Sequence, residues 1–218
     1  EQMIPNGDFP TVKSPNPEEK EALSMALRTA SATGADIVLA TDPDSDRMGV
    51  GFRTPCGNYE LVNGNQIGSM LAAYILQLGK ETNTLPSDGI ILKTIVTTEL
   101  QRVIASAYNC RTLDVLTGFK WIASSMKNLE ETRTGTFIFG GEESYGYLPV
   151  PFVRDKDAVS SILFFAAMTA WLRKKGMGIQ DFLDEIYVTH GLHRDSLVSL
   201  TLKGRDGQKR IGRIMTSF

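Results

Sequence analysis

The sequence predicts an α/β protein whose sheets are flanked by helices, and three observations carry that reading. From residue 63 onward, helical segments of about 10–15 residues alternate with short β-rich runs, the rhythm of a parallel-type sheet covered by helices. Before that point, residues 36–62 read as strand, turn, strand, turn, strand. The 218 residues are 42% hydrophobic and 22% charged, a soluble globular composition. A chain of this length hides about 70% of its unfolded surface.

The elements follow in order. Residues 16–34 predict a helix: Asn16 caps it, Pro17 suits its first position, and Glu18 and Glu19 favour the positive end of its dipole. Ala22, Leu23, Ala26, Leu27 and Ala30 form its apolar stripe, and Gly34 stops it. Strands are predicted at 36–40, 48–52 and 59–62, the last two joined by a Pro55-Cys56-Gly57-Asn58 turn. Helices at 66–78, 98–108 and 119–129 then alternate with strands at 90–96, 112–116 and 136–139. A helix over 157–174, rich in Ile162, Leu163, Phe164, Phe165 and Met168, is expected to be largely buried, and a short one follows at 179–187. Residues 196–203 alternate as a strand, and 206–215 begin an amphipathic helix. That strand and helix cannot bury their own apolar faces, and both ends of the chain read as truncated.

Composition excludes several classes of function. The net charge of −2 gives no basic field for nucleic acid. No apolar run approaches the ~20 residues that cross a bilayer, and no signal peptide is visible. Cys56 and Cys110 lie too far apart for metal-ligand spacing and read as two buried or half-buried thiols of a cytoplasmic protein. His190 and His193 read as surface residues.

The most informative stretch is Asp42-Pro43-Asp44-Ser45-Asp46-Arg47. In extended backbone, residues i, i+2 and i+4 point the same way about 6.6 Å apart, and a modest curl brings three carboxylates onto one ion. Three such charges repel unless a cation sits between them. Mg²⁺ suits hard oxygens and keeps positions open for water or phosphate. A plain turn is the bland alternative, since Asp, Pro and Ser all favour turns. A calcium EF-hand is excluded, because Arg47 and Arg53 stand where that loop needs Gly and Glu. Arg47 reads instead as a second positive group facing a phosphate.

Three further loops carry candidate chemistry. Gly140 to Tyr147 (Gly-Gly-Glu-Glu-Ser-Tyr-Gly-Tyr) follows a strand, and its Glu142 and Ser144 suit sugar hydroxyls. Thr117-Gly118-Phe119-Lys120 has the same placement and a Lys for an anion. Arg154-Asp155-Lys156-Asp157 sets two cations beside a helix start, where either Asp can instead serve as a cap.

Together these four stretches resemble the α-D-phosphohexomutase superfamily, the phosphoglucomutases and phosphomannomutases. The acidic loop is similar to its metal-binding loop, Gly141-Glu142-Glu143-Ser144 to its sugar loop, Thr117 to Lys120 to a substrate loop, and Arg154 to Asp157 to a phosphosugar-contacting segment. Pro15-Asn16-Pro17-Glu18 and Lys93-Thr94-Ile95-Val96-Thr97 also fit. The Glu-Glu-Ser-Tyr-Gly-Tyr form leans toward the phosphoglucomutase-like branch. The resemblance implies mixed sheets with flanking helices in two phosphohexomutase-type domains. It divides the chain into most of domain two (1–62), domain three (63–190), and a linker with the start of domain four (191–218).

The implied chemistry is interconversion of hexose 1-phosphate and hexose 6-phosphate through a phosphoserine and a bisphosphorylated sugar. Asp42, Asp44 and Asp46 would hold Mg²⁺, with Arg47 assisting. Thr117, Gly118, Lys120, Glu142, Ser144, Arg154 and Lys156 would bind substrate, and Lys156 is also a candidate for proton transfer. Tyr145, Gly146 and Tyr147 stand where many members carry a His. The family's Ser-His-Asn-Pro and Ser-Gly-Thr loops are not in this sequence. The 218 residues alone are therefore expected to be inactive, to lack partner domains one and four, and to bind Mg²⁺ weakly. Two other readings remain open: a stand-alone metal or sugar-phosphate-binding module, and a phosphatase using Asp42 or Asp44 as nucleophile.

Overall fold

The computed structural model describes residues 2–196 and 202–217. Its first helix, α1 (Ser24–Thr33), ends at Gly34 in the left-handed conformation, as the sequence predicts, but begins a full two turns later than residue 16. Residues 17–23 form successive tight turns instead, with Glu19 N–H donating to Asn16 O and Ala22 N–H to Glu19 O. Pro17 is buried against the second strand, where a Cβ on Gly49 would lie 2.8 Å from the Pro17 Cβ. That contact holds the segment flat, so packing overrides the helical signal. Asn16 still caps, accepting the Glu18 N–H at 3.1 Å.

The first sheet is antiparallel, in the order β1 (Ile37–Thr41), β2 (Met48–Arg53), β3 (Tyr59–Val62). The acidic loop is therefore a hairpin connection closing on the Thr41–Met48 pair, between the two strands expected on either side of it. Asn63 then starts α2 (Gly64–Glu81) with a reciprocal capping box: its side chain accepts from Gln66 N–H, and Gln66 accepts from Asn63 N–H.

The second sheet is mixed, in the order β5 (Arg111–Val115), β4 (Gly89–Thr94), β6 (Thr136–Gly141), β7 (Tyr147–Leu148). The strands β5, β4 and β6 run parallel, and β7 returns antiparallel to β6. The short β7 has no sequence signature, because two residues show no period. Alternation along the central strand builds the layers. Ile90 and Leu92 pack with Phe119, Ile122, Met126 and Leu129 of α4 (Phe119–Thr132). Ile91 faces α2, α3 (Leu100–Ala107), α5 (Ala158–Lys174) and α6 (Ile179–His190) in a second cluster that also takes in Met48, Val50, Phe52 and Val62 of the first sheet.

Helix α5 is less buried than expected. Phe165, Met168 and Leu172 reach the core, but Val159 and Leu163 are exposed on its other face. His190 is half-buried, and burial pushes its imidazole below the ordinary value; His193 is half-buried too, so neither is a free surface residue. Of the strand expected at 196–203, residues 197–201 lie outside the described residues. Helix α7 (Gly204–Thr216) forms where an amphipathic helix is expected and buries none of its residues. No helix among the described residues is long and apolar enough to cross a membrane.

Candidate metal centre and the loops around it

Asp42, Asp44 and Asp46 each bring a carboxylate oxygen within 4.8 Å of the others. They converge through a tight turn and not through extended backbone: Ser45 sits at φ +57°, and its N–H donates to Asp42 O at 3.1 Å. Asp42 organises the turn from inside. Its Oδ1 accepts the N–H groups of Asp46 (3.1 Å) and Arg47 (3.0 Å), and its Oδ2 accepts Arg47 Nε at 2.9 Å. Burial pushes the Asp42 carboxyl up, but the Arg47 backbone and guanidinium outweigh it and leave the carboxyl below its ordinary range. Asp46 runs the other way: burial and the neighbouring Asp42 raise it, against the hydrogen bond from Lys156.

The donor set fits a hard cation. Asp44 is exposed, Asp46 is half-buried, and Asp46 Oδ1 is shielded from solvent without a hydrogen-bond partner. An orphaned carboxylate oxygen on a residue clustered with two other carboxylates is better stabilised when a further positive charge meets it. Arg47 lies within this cluster but is drawn to carboxylates, with Glu18 Oε1 3.4 Å from Nη1. A cleft of about 880 Å³, bordered by Phe9, Pro17 and Leu23, reaches the turn at Asp42, Pro43 and Ser45.

The turn is fastened to the second sheet by backbone. Arg47 and Gly146 form an antiparallel bridge, Met48 N–H donates to Tyr145 O at 3.0 Å, and Ala158 N–H, at the start of α5, donates to Ser45 O at 3.0 Å. Lys156 crosses the seam, its Nζ 2.6 Å from Asp46 Oδ2 and 3.6 Å from Asp155 Oδ1. Asp157 is the helix cap, accepting from Val159 and Ser160 N–H. Thus the acidic turn, the Glu142–Tyr147 loop and Lys156 are one structure.

Glu142 is buried, with Oε1 accepting the Gly118 N–H at 3.0 Å, which brings Thr117-Gly118 to the same place. Burial raises the Glu142 carboxyl, and the Gly118 N–H and Lys156 only partly offset this. Ser144 is half-buried beside it. Two predicted residues stand apart. Arg154 is exposed and ion-paired with Glu130 of α4, and Lys120 is exposed with its Nζ 5.3 Å from the Trp121 ring centroid.

Several residues quoted only as parts of motifs turn out to support these loops. Glu143 Oε2 accepts the hydroxyls of Thr94 (3.1 Å) and Thr97 (3.2 Å), tying the sugar-loop candidate to the end of β4. Fully buried Lys93 secures that same strand end, with Nζ 2.8 Å from Glu99 and 3.1 Å from Asp114. Tyr147 is buried with its hydroxyl on Gly64 O at 2.7 Å, and burial drives its ionisation well above the ordinary value. The doubled acid of Glu142-Glu143 was the one visible signal for Glu143.

Residues 63–190 match the family described as phosphoglucomutase/phosphomannomutase, alpha/beta/alpha domain III, and residues 1–55 match its alpha/beta/alpha domain II. The chain belongs to the phosphoglucomutase/phosphomannomutase family. It is 40% identical over 217 residues to the phosphoglucomutase of Staphylococcus aureus strain USA300, a match that takes in 100% of this chain and 38% of that protein. The chain therefore spans well under half the length of the curated relatives it matches. A phosphoglucomutase/phosphomannomutase family protein of Burkholderia thailandensis shares the fold at a TM-score of 0.62 and 19% identity, over 83% of this chain and 35% of that one. The N-acetylphosphoglucosamine mutase of Aspergillus fumigatus, solved with GlcNAc-6P and magnesium, does so at 0.50 and 16%, over 68% and 35%.

Within this family chain, Glu142→Gln is expected to trade binding for stability. The glutamine oxygen can still accept the Gly118 N–H, while the buried charge disappears. Because the folded-state carboxyl is raised, its stabilising contribution is present at acid pH and lost as pH rises through the folded value. The variant should gain about 1 kcal/mol near neutrality and nothing below the unfolded value. Urea denaturation at pH 7.5 and pH 3.5 measures both, and a wild-type advantage at pH 7.5 would overturn it.

Proposed function

We propose that this chain carries the metal-binding and sugar-binding portion of a Mg²⁺-dependent phosphohexomutase that interconverts hexose 1-phosphate and hexose 6-phosphate through a phosphoserine and a bisphosphorylated sugar. The observation that carries the reading is the fastening of the three-aspartate turn to the Glu142–Tyr147 loop through the Arg47–Gly146 bridge, with Lys156 spanning both. A cation site and an acceptor-rich loop held together by backbone form a place where a phosphate and a sugar ring can be gripped at once. The magnesium and sugar phosphate in the A. fumigatus mutase support the same assignment.

Asp42, Asp44 and Asp46 would hold the cation, which would neutralise charge on the phosphoryl group in transit. Arg47 keeps Asp42 ionised and the turn closed. Glu142 and Ser144 would accept and donate to sugar hydroxyls, with Thr117 and Gly118 closing one side of that pocket. Lys156, Lys120 and Arg154 would supply positive charge for the sugar phosphate; Arg154 must leave Glu130 to do so. The phosphoryl-carrying serine would come from outside these residues, so the 218-residue chain would bind without turnover. A cytoplasmic setting suits the free thiols Cys110, which is buried, and Cys56, which is exposed in its turn and not buried or half-buried as expected. An aspartyl nucleophile is disfavoured because Asp42 and Asp44 belong to one convergent cluster of three carboxylates, an arrangement that suits metal ligation.

Asp44→Asn provides the direct test, because exposed Asp44 makes little contribution to the fold. Calorimetry on the chain should show Mg²⁺ binding weaker than micromolar that Asp44→Asn abolishes without a change in melting temperature. Glucose 1-phosphate with its bisphosphate should show no turnover on the chain alone and turnover on a longer protein that supplies the serine. Mg²⁺ binding indifferent to Asp44, or turnover by the chain alone, would sink the proposal.

A further inference from the structure

We propose that Lys156 is a built-in counter-cation of the metal site: its ammonium group neutralises Asp46 until a divalent cation displaces it, and the displaced lysine then serves the anionic group of the sugar phosphate. This rests on the metal and sugar-phosphate reading above and adds a coupling between the two ligands.

Two observations and the coordination chemistry of Mg²⁺ carry it. Lys156 Nζ lies 2.6 Å from Asp46 Oδ2, a short charge-assisted contact on a carboxylate that belongs to the three-aspartate cluster. The other oxygen, Asp46 Oδ1, is shielded without a hydrogen-bond partner, with Arg47 Nε 3.6 Å away. Mg²⁺ binds carboxylate oxygens at about 2.0–2.1 Å in octahedral geometry. A dication on Asp46 would therefore stand within a few ångströms of the ammonium group, a repulsion the half-buried setting screens poorly.

The lysine is also built to move at its tip alone. Its stem lies against Gly146, where a Cβ would fall 2.2 Å from Lys156 Cδ, so glycine makes room for the stem and the loop backbone confines it. Only the terminal atoms are left to swing. Nearby lie the Asp155 carboxylate at 3.6 Å and the Phe119 ring centroid at 6.0 Å, on the side of Glu142 and the Thr117-Gly118 turn. Release from Asp46 thus delivers positive charge toward the loops assigned to the sugar phosphate. Linkage then requires that Mg²⁺ tighten sugar-phosphate binding, and sugar phosphate tighten Mg²⁺ binding, by the same factor.

The test uses the 218-residue chain, with Mg²⁺ and glucose 1-phosphate as probes and calorimetry as the readout. In the wild-type chain each ligand should tighten the other by about tenfold. Lys156→Gln should bind Mg²⁺ several-fold tighter on its own and lose most of the coupling, while Lys156→Arg, which keeps the charge, should restore competition. Carbon-13 spectra of the lysine side chains should show the Lys156 ε-methylene shifting with Mg²⁺ and again with glucose 1-phosphate. Equal Mg²⁺ affinity in wild type and Lys156→Gln, or undiminished coupling in Lys156→Gln, would overturn the inference and leave the metal site standing. Absence of any Asp44-dependent Mg²⁺ binding would overturn the functional reading and this inference together.

Discussion

Gly64→Ala is expected to destabilise the chain by about 3 kcal/mol and to dislodge the Glu142–Tyr147 loop. Gly64 opens α2 directly after its capping Asn63, and a Cβ there would lie 1.9 Å from Glu143 O and 2.9 Å from the Glu143 carbonyl carbon. These are backbone atoms, so no rotamer change relieves the overlap. Nor can the loop slide away freely. Glu143 is held by the Thr94 and Thr97 hydroxyls, and the Tyr147 hydroxyl donates to Gly64 O itself. Moving the loop therefore breaks several hydrogen bonds in a buried place, each worth about 1 kcal/mol. Urea denaturation gives the stability loss. A midpoint within experimental error of wild type would mean that α2 and the loop separate without resistance, contrary to the packing described.

Asp42→Asn is expected to remove Mg²⁺ binding and about 2 kcal/mol of stability at neutral pH. Breaking a fully buried ion pair costs about 3–5 kcal/mol. The smaller figure reflects Arg47, whose side chain is 33% exposed and partly screened by water. Asparagine keeps one oxygen for the Asp46 and Arg47 N–H groups but turns an amide toward Arg47 Nε, leaving the guanidinium to Glu18 and Asp46. The pH dependence has a definite sign. The Asp42 carboxyl is depressed in the folded chain, so its contribution is fully present above the unfolded value of about 3.9 and fades as pH falls through the folded value. Wild type should therefore lose stability over that acid range more steeply than the variant. Parallel acid limbs for the two proteins in denaturation from pH 5 to pH 2 would refute this assignment.

The sequence disclosed the chemistry of the turn more readily than its geometry. Three aspartates at spacing two suggest a cation site whatever the backbone does, and the family resemblance to a metal loop followed from residue identity alone. Their placement on a hairpin between antiparallel strands depended on the pairing of Met48 with Thr41, which no local pattern records. The same limit explains the first helix. Asn16, Pro17 and the acidic pair form a sound helix start, but contact between Pro17 and Gly49 in β2 decides the matter over a distance of more than thirty residues. Helices α2, α4 and α6 were legible because their apolar periodicity is strong, although only α2 begins with a side-chain capping box. The role of Glu143 was hidden because its partners, Thr94 and Thr97, lie on another strand's end. Arg154 shows the converse: its motif suggested an anion contact, and the fold gives it Glu130.

The bridge between Arg47 and Gly146 changes what the two halves of the chain are to each other. Met48, Val50 and Phe52 from one side and Ile67, Phe139 and Tyr147 from the other belong to a single buried cluster. A cut near residue 63 would leave each piece with a raw apolar wall, and the aspartate turn would lose the strand edge on which it hangs. The two segments are thus successive in sequence but joined in cohesion, and they would unfold as one body.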